Sequence, residues 1–281
     1  MTATTYFEIV AFVFGAVIGS FLNVCIGRWP AGLSIVRPRS RCPHCGHQLA
    51  WFENVPLLSW LALRARCRCC AEPISIQYPL VELAVALLWT ACVAHFGPTI
   101  TAFRVGAMAT ILLGVAVTDA KHYLIPDGFT LFGLGFTLFM ALYGFVTGHH
   151  GPFAGLYDAV IGACTGAGMI AIVGWLGELA FRKEAMGMGD MTLMAFVGAA
   201  VGPARSILTV FVGAAIGAAA FLLVVYPVAW LMRDRRQEQG ELPLGQSSFE
   251  PPLVPFGVFL APAAVVTLLW GDALFARIVG G

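Results

Sequence analysis

Charged side chains are scarce in this sequence, and their scarcity excludes an ordinary soluble protein. Only 11% of the 281 residues are Asp, Glu, Lys or Arg, while 59% are hydrophobic, whereas soluble domains carry about 25% charged residues. The composition therefore indicates a polytopic membrane protein surrounded by membrane lipids. The net charge of +1 gives no indication of a nucleic-acid partner, and we expect no nucleic acid among its partners.

Two other features are missing. The N-terminal stretch MTATTYFE contains no Lys or Arg, so it lacks the basic start of a secretory signal, and we expect the first apolar helix to remain in the protein. The chain also has no G-x-G-x-x-G motif placed after a strand, so we expect no Rossmann-type cofactor domain.

What the chain does contain is a series of apolar stretches. Most approach the roughly 20 residues that span a bilayer core, and the shortest is 190–202. We therefore predict an all-α polytopic membrane protein with about eight transmembrane helices. The eight stretches cover residues 6–27, 78–96, 100–118, 128–147, 154–180, 190–202, 205–231 and 254–275.

The basic residues predict how these helices are oriented. With eight helices in alternation, 13 of the 16 Lys and Arg residues fall on one side, which the positive-inside rule assigns to the cytoplasm. The cytoplasmic side then holds segment 28–77 and the loops 119–127, 181–190 and 233–253, and both termini lie outside. We divide the chain into a first transmembrane helix, a cytoplasmic region and a transmembrane domain, over 1–27, 28–77 and 78–281.

The cytoplasmic region contains two C-x-x-C pairs, formed by Cys42 with Cys45 and by Cys67 with Cys70. Four thiolates in two such pairs are typical of a closed, structural zinc site, so we predict a small zinc-binding insertion between helices 1 and 2. Cys69 is left over. Two alternatives stay open: His44 or His47 as substitute ligands, and a pair of disulfides, which a reducing cytoplasm disfavours.

Carboxylates at the edge of membrane helices are costly and indicate function. Asp119 ends the third apolar stretch and Asp190 begins the sixth, so the topology places both at the cytoplasmic edge. Two carboxylates that share a site do not easily ionise together, which is the basis of aspartic protease catalysis. Gly187 and Gly189, beside Asp190, would let an extended substrate approach closely. The alternative is that the carboxylates form structural ion pairs with Arg182 or Lys183.

Seven motifs, in order along nearly the whole chain, resemble the type 4 prepilin peptidases, which are bifunctional leader peptidase/N-methyltransferases of bacterial inner membranes. G-x-G-D alone is a weak signal, but seven ordered motifs are specific. The motifs are GSFLNVCIGRWP (19–30), CPHC (42–45), WFENVPLLSWLALRARCRCC (51–70), ISIQYPLVEL (74–83), DAKHYLIPD (119–127), MGMGDMTL (186–193) and PFGVFLAP (255–262).

The resemblance implies a function and its residues. Asp119 and Asp190 would be the catalytic dyad, and the four paired cysteines would bind zinc. The substrates would be prepilins and type II secretion pseudopilins, single apolar helices with a basic leader that is cut after a glycine. S-adenosylmethionine would then methylate the new N-terminus. The chain would lie in the inner membrane with periplasmic termini.

The sequence departs from the family pattern at three positions. Thr192 replaces a usual Lys, Lys121 replaces a frequent Asp, and Ala65 replaces the Gly of R-G-[KR]-C. The first two leave both aspartates in place, whereas Ala65 lies in the region expected to transfer the methyl group.

The methyl-donor site does not follow from residue spacing. Polar residues beside the cytoplasmic face are the candidates, although the two arginines among them also fit the positive-inside rule. The candidates are Glu53, Asn54, Arg64 and Arg66.

Other classes of protein remain alternatives. A proton-coupled transporter also keeps carboxylates in its helices, but it should contain two related halves, and the chain has no such repeat. A membrane thiol oxidoreductase would place its C-x-x-C pairs near the oxidising face. A catalytically inactive, zinc-containing assembly factor and a peptidase without methyltransferase activity also remain open. The oligomeric state does not follow from the sequence.

Overall fold

The computed structural model describes residues 3–149, 151–182, 186–228, 230 and 255–279. Over these residues the chain forms the nine α-helices named below, a short 3₁₀ turn (Trp51–Asn54), and a π-helical turn (Phe221–Val225) that follows α8 and continues as α-helix over 226–228. The helices are α1 (Ala3–Arg28), α2 (Leu58–Ala62), α3 (Gln77–Phe96), α4 (Ile100–His122), α5 (Asp127–Thr147), α6 (Leu156–Phe181), α7 (Met188–Val201), α8 (Pro203–Ala220) and α9 (Gly257–Val279).

Seven of the helices in the described residues are long and apolar enough to cross a membrane, so the prediction of an all-helical, multi-pass membrane protein is confirmed. The predicted span 190–202 corresponds to α7, which has only 14 residues. At 1.5 Å per residue this helix is about 21 Å long, shorter than the bilayer core of about 30 Å.

Despite its length, α7 reaches from one end of the helix bundle to the other. Gly189, in its first turn, lies against Ile125 in the α4–α5 connection. Near its other end, Ala200 accepts a 2.9 Å hydrogen bond from the backbone N–H of Ala154, just before α6. Leu193 and Phe196 are fully buried, so α7 is a central helix shielded by its longer neighbours.

Glycines allow the closest helix contacts. A Cβ atom at Gly15 would lie 2.8 Å from the Cα of Ala86, and one at Gly19 would lie 2.7 Å from the Cα of Glu82. These two positions on α1 therefore let the backbone of α3 approach closely. Gly162 similarly faces the backbone of Gly198, between α6 and α7.

The insertion between α1 and α3 and the two predicted catalytic aspartates lie at the same end of the bundle. Trp29, after α1, packs edge-to-face on Phe129 at the start of α5, with ring centroids 4.4 Å apart. Lys121, at the end of α4, donates a hydrogen bond to Gln77 at the start of α3. The predicted cytoplasmic loop 233–253 lies outside the described residues.

Candidate active site and cysteine cluster

Asp119 is buried in the last turn of α4, with only 5% of its surface exposed. Its carboxyl group faces the first backbone N–H groups of α9, those of Gly257 and Val258. A helix N-terminus carries partial positive charge and stabilises a nearby carboxylate. Within the described part of the chain, the buried Oδ2 atom has no hydrogen-bond partner.

Asp190 lies in the first turn of α7 and is half-buried. Its Oδ2 atom accepts a 3.3 Å hydrogen bond from the backbone N–H of Gly187. The carboxyl group is close enough to Asp119 to be affected by its charge. The fold therefore brings together two aspartates that are 71 positions apart in the sequence.

Ile125 packs against the two glycines that lie beside the aspartates, Gly189 and Gly257. A Cβ atom at Gly189, next to Asp190, would lie 2.9 Å from the Cβ of Ile125. A Cβ atom at Gly257 would lie 2.9 Å from the Cδ1 of Ile125 and 2.8 Å from the Oδ2 of Asp119. Both glycines are therefore required by close packing inside the protein.

Of the two glycines predicted to let a substrate approach, Gly187 leaves room for it and Gly189 does not. Gly189 is occupied by its contact with Ile125, whereas Gly187 is exposed and has no atom closer than 3.8 Å to an added Cβ. Neither Ile125 nor Gly257 was predicted as a site residue from the sequence. Both lie inside the family motifs DAKHYLIPD and PFGVFLAP. Their place in these motifs was the sequence feature that could have identified them.

The alternative of structural ion pairs finds no support in the described residues, where neither aspartate pairs with a basic side chain and the ion pairs involve only Glu53 and Asp272. Arg182 is exposed at the end of α6, and Lys183 lies outside the described residues.

The four paired cysteines form a compact cluster whose sulfur atoms all lie within 4.8 Å of one another. The Sγ atoms of Cys42 and Cys70 are 3.9 Å apart, as are those of Cys45 and Cys67. Zinc–sulfur bonds of about 2.3 Å in a tetrahedron place the sulfurs about 3.8 Å apart. The cluster therefore fits a tetrahedral metal ion, and its separations are far longer than a disulfide bond of about 2.05 Å.

The two C-x-x-C segments repeat the same backbone structure 25 residues apart. Cys42 N–H donates to the carbonyl of His47 at 2.9 Å, and Cys67 N–H donates to the carbonyl of Glu72 at 2.8 Å. Each segment is closed by one isolated β-bridge. The residue after each second cysteine, Gly46 in one segment and Ala71 in the other, has a positive φ, of 72° and 56°.

Other backbone N–H groups of each C-x-x-C turn prepare the first cysteine of the pair for metal binding. The pKa of the Cys42 thiol is lowered to about 7 because the N–H groups of Cys45 and His44 point towards its sulfur. The pKa of Cys67 is lowered for the same reason by the N–H groups of Cys70 and Cys69. A lower pKa favours the thiolate, which is the form that binds a metal.

Glu53 is buried beside the cysteine cluster, with 5% of its surface exposed. Its Oε2 atom accepts a 2.8 Å hydrogen bond from Ala50 N–H and lies 3.3 Å from the Nε2 atom of His47. The Ala50 N–H, His47 and Arg68 all lower the pKa of Glu53. Glu53 therefore joins the first C-x-x-C segment to the second, and His47 is engaged with it instead of with the cysteines.

Of the four candidates for methyl-donor binding, Asn54 lines a cavity. A cavity of about 660 Å³ lies between α1 and the insertion, and its polar lining includes Ser20, Arg28, Arg39 and Asn54. Of the four predicted residues, Asn54 lines this cavity, whereas Glu53 faces His47. Arg64 and Arg66 are exposed in the turn before Cys67.

The three departures from the family pattern have different surroundings. Thr192 donates a 3.1 Å hydrogen bond to the carbonyl of Gly189, and Lys121 bonds to Gln77. Ala65 has a φ of 57°, in the left-handed region that favours glycine. The usual glycine at this position is therefore explained by backbone conformation, and Ala65 adopts that conformation without it.

Family profiles match most of the chain. A profile described as the bacterial peptidase A24 N-terminal domain matches residues 13–96, and one described as the type IV leader peptidase family matches residues 106–222. No solved structure matches the chain significantly.

Curated relatives carry the name prepilin leader peptidase/N-methyltransferase. The protein of Stutzerimonas stutzeri is 36% identical over 96% of this chain and 93% of its own length, and that of Aeromonas hydrophila is 37% identical over 96% and 92%. The protein of Myxococcus xanthus is 44% identical over 68% of this chain, a match that spans about half (55%) of that relative's length.

A bundle of membrane-length helices with an aspartate pair and a metal-type cysteine cluster at one end, in a chain that matches a leader peptidase profile, defines a multi-pass membrane peptidase. The chain belongs to the type IV leader peptidase family.

Proposed function

We propose that this protein cleaves the leader peptides of prepilins and type II secretion pseudopilins and methylates the new N-terminal residue. The observation that carries the proposal is the meeting of Asp119 and Asp190 at one end of the bundle, in a chain whose relatives bear this name. The aspartates and the basic insertion lie on the cytoplasmic side, where a basic leader is expected, and both termini are periplasmic.

The aspartates supply the peptidase chemistry. One is ionised and takes a proton from a water molecule, and the other is protonated and donates a hydrogen bond to the peptide carbonyl. The water oxygen adds to the carbonyl carbon, the C–N bond breaks, and a proton passes to the leaving amine. The backbone N–H groups at the start of α9 hold Asp119 in place, and Ile125 packs against both Gly257 and Gly189.

Zinc is the metal that we propose for Cys42, Cys45, Cys67 and Cys70. Four thiolates close the coordination sphere, so the metal acts on stability and not on catalysis. The insertion of about fifty residues has little apolar core of its own, and metal binding would supply folding free energy.

S-adenosylmethionine supplies the methyl group in this proposal. The cavity between α1 and the insertion combines apolar walls with the side chains of Arg28, Arg39 and Asn54, which suit a ligand with a carboxylate and an adenosine group. We therefore assign the methyl donor to this cavity. Of the four residues suggested by the sequence, Asn54 lines it.

The proposal is tested by intact-mass analysis of a prepilin co-expressed with the wild type, with Asp190→Asn, or with Asp158→Asn. Asp158 is an exposed carboxylate in the first turn of α6 and serves as the matched control. We expect loss of the leader and gain of one methyl group with the wild type and with Asp158→Asn, and neither change with Asp190→Asn. Leader loss without the methyl group would remove the methyltransferase half, and an uncleaved prepilin with the wild type would overturn the proposal.

A further inference from the structure

A second cavity, of about 760 Å³, forms an apolar groove between α3, α4 and α9. Both α3 and α9 pack on α4, and the groove is the gap that they leave above it. In the described part of the chain, no Asp, Glu, Lys or Arg lines this groove, and His95 lines it at the last turn of α3, the end away from Asp119. The groove therefore suits an occupant that is uncharged over most of its length.

Small residues in the lining of the groove suit the approach of another helix. Each of its three walls contributes alanines, Ala91 from α3, Ala109 and Ala116 from α4, and Ala261 from α9. Small residues let another helix backbone approach closely within a membrane. Along α9 the lining runs from Val258 to Trp270, a length of about 18 Å, which matches about twelve residues of an apolar helix.

One end of the groove lies at the proposed catalytic site. Ala116 lies one turn before Asp119 on α4, and Val258 follows Gly257, whose position contacts the Oδ2 atom of Asp119. Pro262, four residues after Val258, has no N–H to donate to the Val258 carbonyl. The groove therefore ends beside a catalytic carboxyl group and a carbonyl that lacks its usual helical donor.

We propose that this groove binds the apolar helix of the prepilin substrate and directs the peptide bond before that helix to Asp119 and Asp190. The proposal rests on the function proposed above. It assigns the uncharged part of the substrate to the groove and leaves the basic leader beyond the aspartates, outside the membrane. The position of the cut relative to the helix would then be set by how far the helix slides into the groove.

The first test is photocrosslinking with a genetically encoded benzophenone at position 91 in the Asp190→Asn protein, which keeps the prepilin uncleaved. Position 94 is the matched control, because Ala94 is exposed on the same helix one turn away but does not line the groove. We expect crosslinks to prepilin from position 91 and not from position 94. Equal crosslinking from both positions, adducts with lipid alone, or adducts with a second copy of this chain would overturn the proposal.

The second test separates groove binding from catalysis. Ala91→Trp should slow cleavage of the membrane-bound prepilin by about tenfold or more, because an overpacked contact costs about 1–3 kcal/mol. It should leave cleavage of a short soluble peptide that lacks the apolar helix unchanged, and Ala94→Trp should affect neither reaction. An equal loss on both substrates would contradict the groove. Cleavage of either substrate by Asp190→Asn at the wild-type rate would instead contradict the proposed catalytic pair.

Discussion

Ile125 fills the space that a side chain at position 189 would need. The distance from an added Cβ at Gly189 is 2.9 Å to the Cβ of Ile125 and 3.1 Å to its backbone oxygen. This contact fixes the start of α7, and with it Asp190, against the α4–α5 connection that follows Asp119. The geometry of the aspartate pair therefore depends on a glycine and an isoleucine that carry no chemistry themselves.

We predict that Gly189→Ala lowers the rate of prepilin cleavage by about tenfold or more, since relieving such an overlap costs about 1–3 kcal/mol. Adding Ile125→Gly to Gly189→Ala should recover part of the rate, because it removes the Cβ atom that lies 2.9 Å from the added one. Gly135→Ala is the control, since an added Cβ there meets no atom within 4 Å. Equal rates for Gly189→Ala and Gly135→Ala would show that the contact does not position Asp190.

The second prediction concerns the metal. Cys42→Ser and Cys70→Ser should each release zinc from the purified protein and lower its thermal stability, because each removes one of four ligands. Cys69→Ser should retain the metal, since Cys69 lies outside the cluster. Zinc content is measured by elemental analysis of the protein in detergent. Full zinc content in Cys42→Ser or Cys70→Ser would contradict the four-thiolate site.

The third prediction concerns Ala65. A left-handed conformation costs a residue other than glycine about 1–2 kcal/mol. Glycine avoids this cost, but its greater freedom in the unfolded chain cancels part of the gain in stability. Ala65→Gly should therefore raise the free energy of unfolding of the insertion by about 0.5–1 kcal/mol. Ala62→Gly, in the helix three residues earlier, should lower it by a similar amount.

Methylation by the wild-type protein provides a further check on Ala65. Since Ala65 already has the backbone conformation of the usual glycine, we expect the methyl group on cleaved prepilin without any substitution. If Ala65→Gly destabilises the protein, the backbone explanation is wrong. If methylation requires Ala65→Gly, the glycine that is usual at this position has a role beyond backbone conformation.

The fourth prediction distinguishes two roles for Glu53. Its lowered pKa keeps it ionised at neutral pH, between His47 and Arg68. Glu53→Gln should therefore lower the thermal stability of the insertion and speed zinc loss to a chelator. The carboxylate's contribution is fully present above its unfolded pKa of about 4.3 and is lost as the pH falls from there through the lower pKa of the folded protein. Unchanged stability with a specific loss of methylation would instead assign Glu53 to the methyl donor.

The helices, the cysteine cluster and the aspartates could be predicted because each depends on a local pattern. Apolar stretches of membrane length predict helices wherever they occur, and C-x-x-C places two thiols on one turn of chain. Asp119 and Asp190 could be paired because helix alternation put them at one depth.

The packing around these residues could not be predicted in the same way. The contact of Gly189 with Ile125 spans 64 positions, and the approach of Gly257 to Asp119 spans 138. Neither leaves a periodic signal in the sequence. The engagement of Glu53 with His47 likewise depends on a turn that the sequence pattern does not specify, which is why Glu53 was grouped with candidates for ligand binding.

The most direct test of the account is the rate of prepilin cleavage by Asp119→Asn, by Asp190→Asn and by the double variant, each shown to retain the helical content and zinc content of the wild type. We predict that each single variant loses cleavage almost completely and that the double variant is no worse than either, because the two carboxyl groups act as one unit. Cleavage near the wild-type rate by either folded single variant would contradict the catalytic pair.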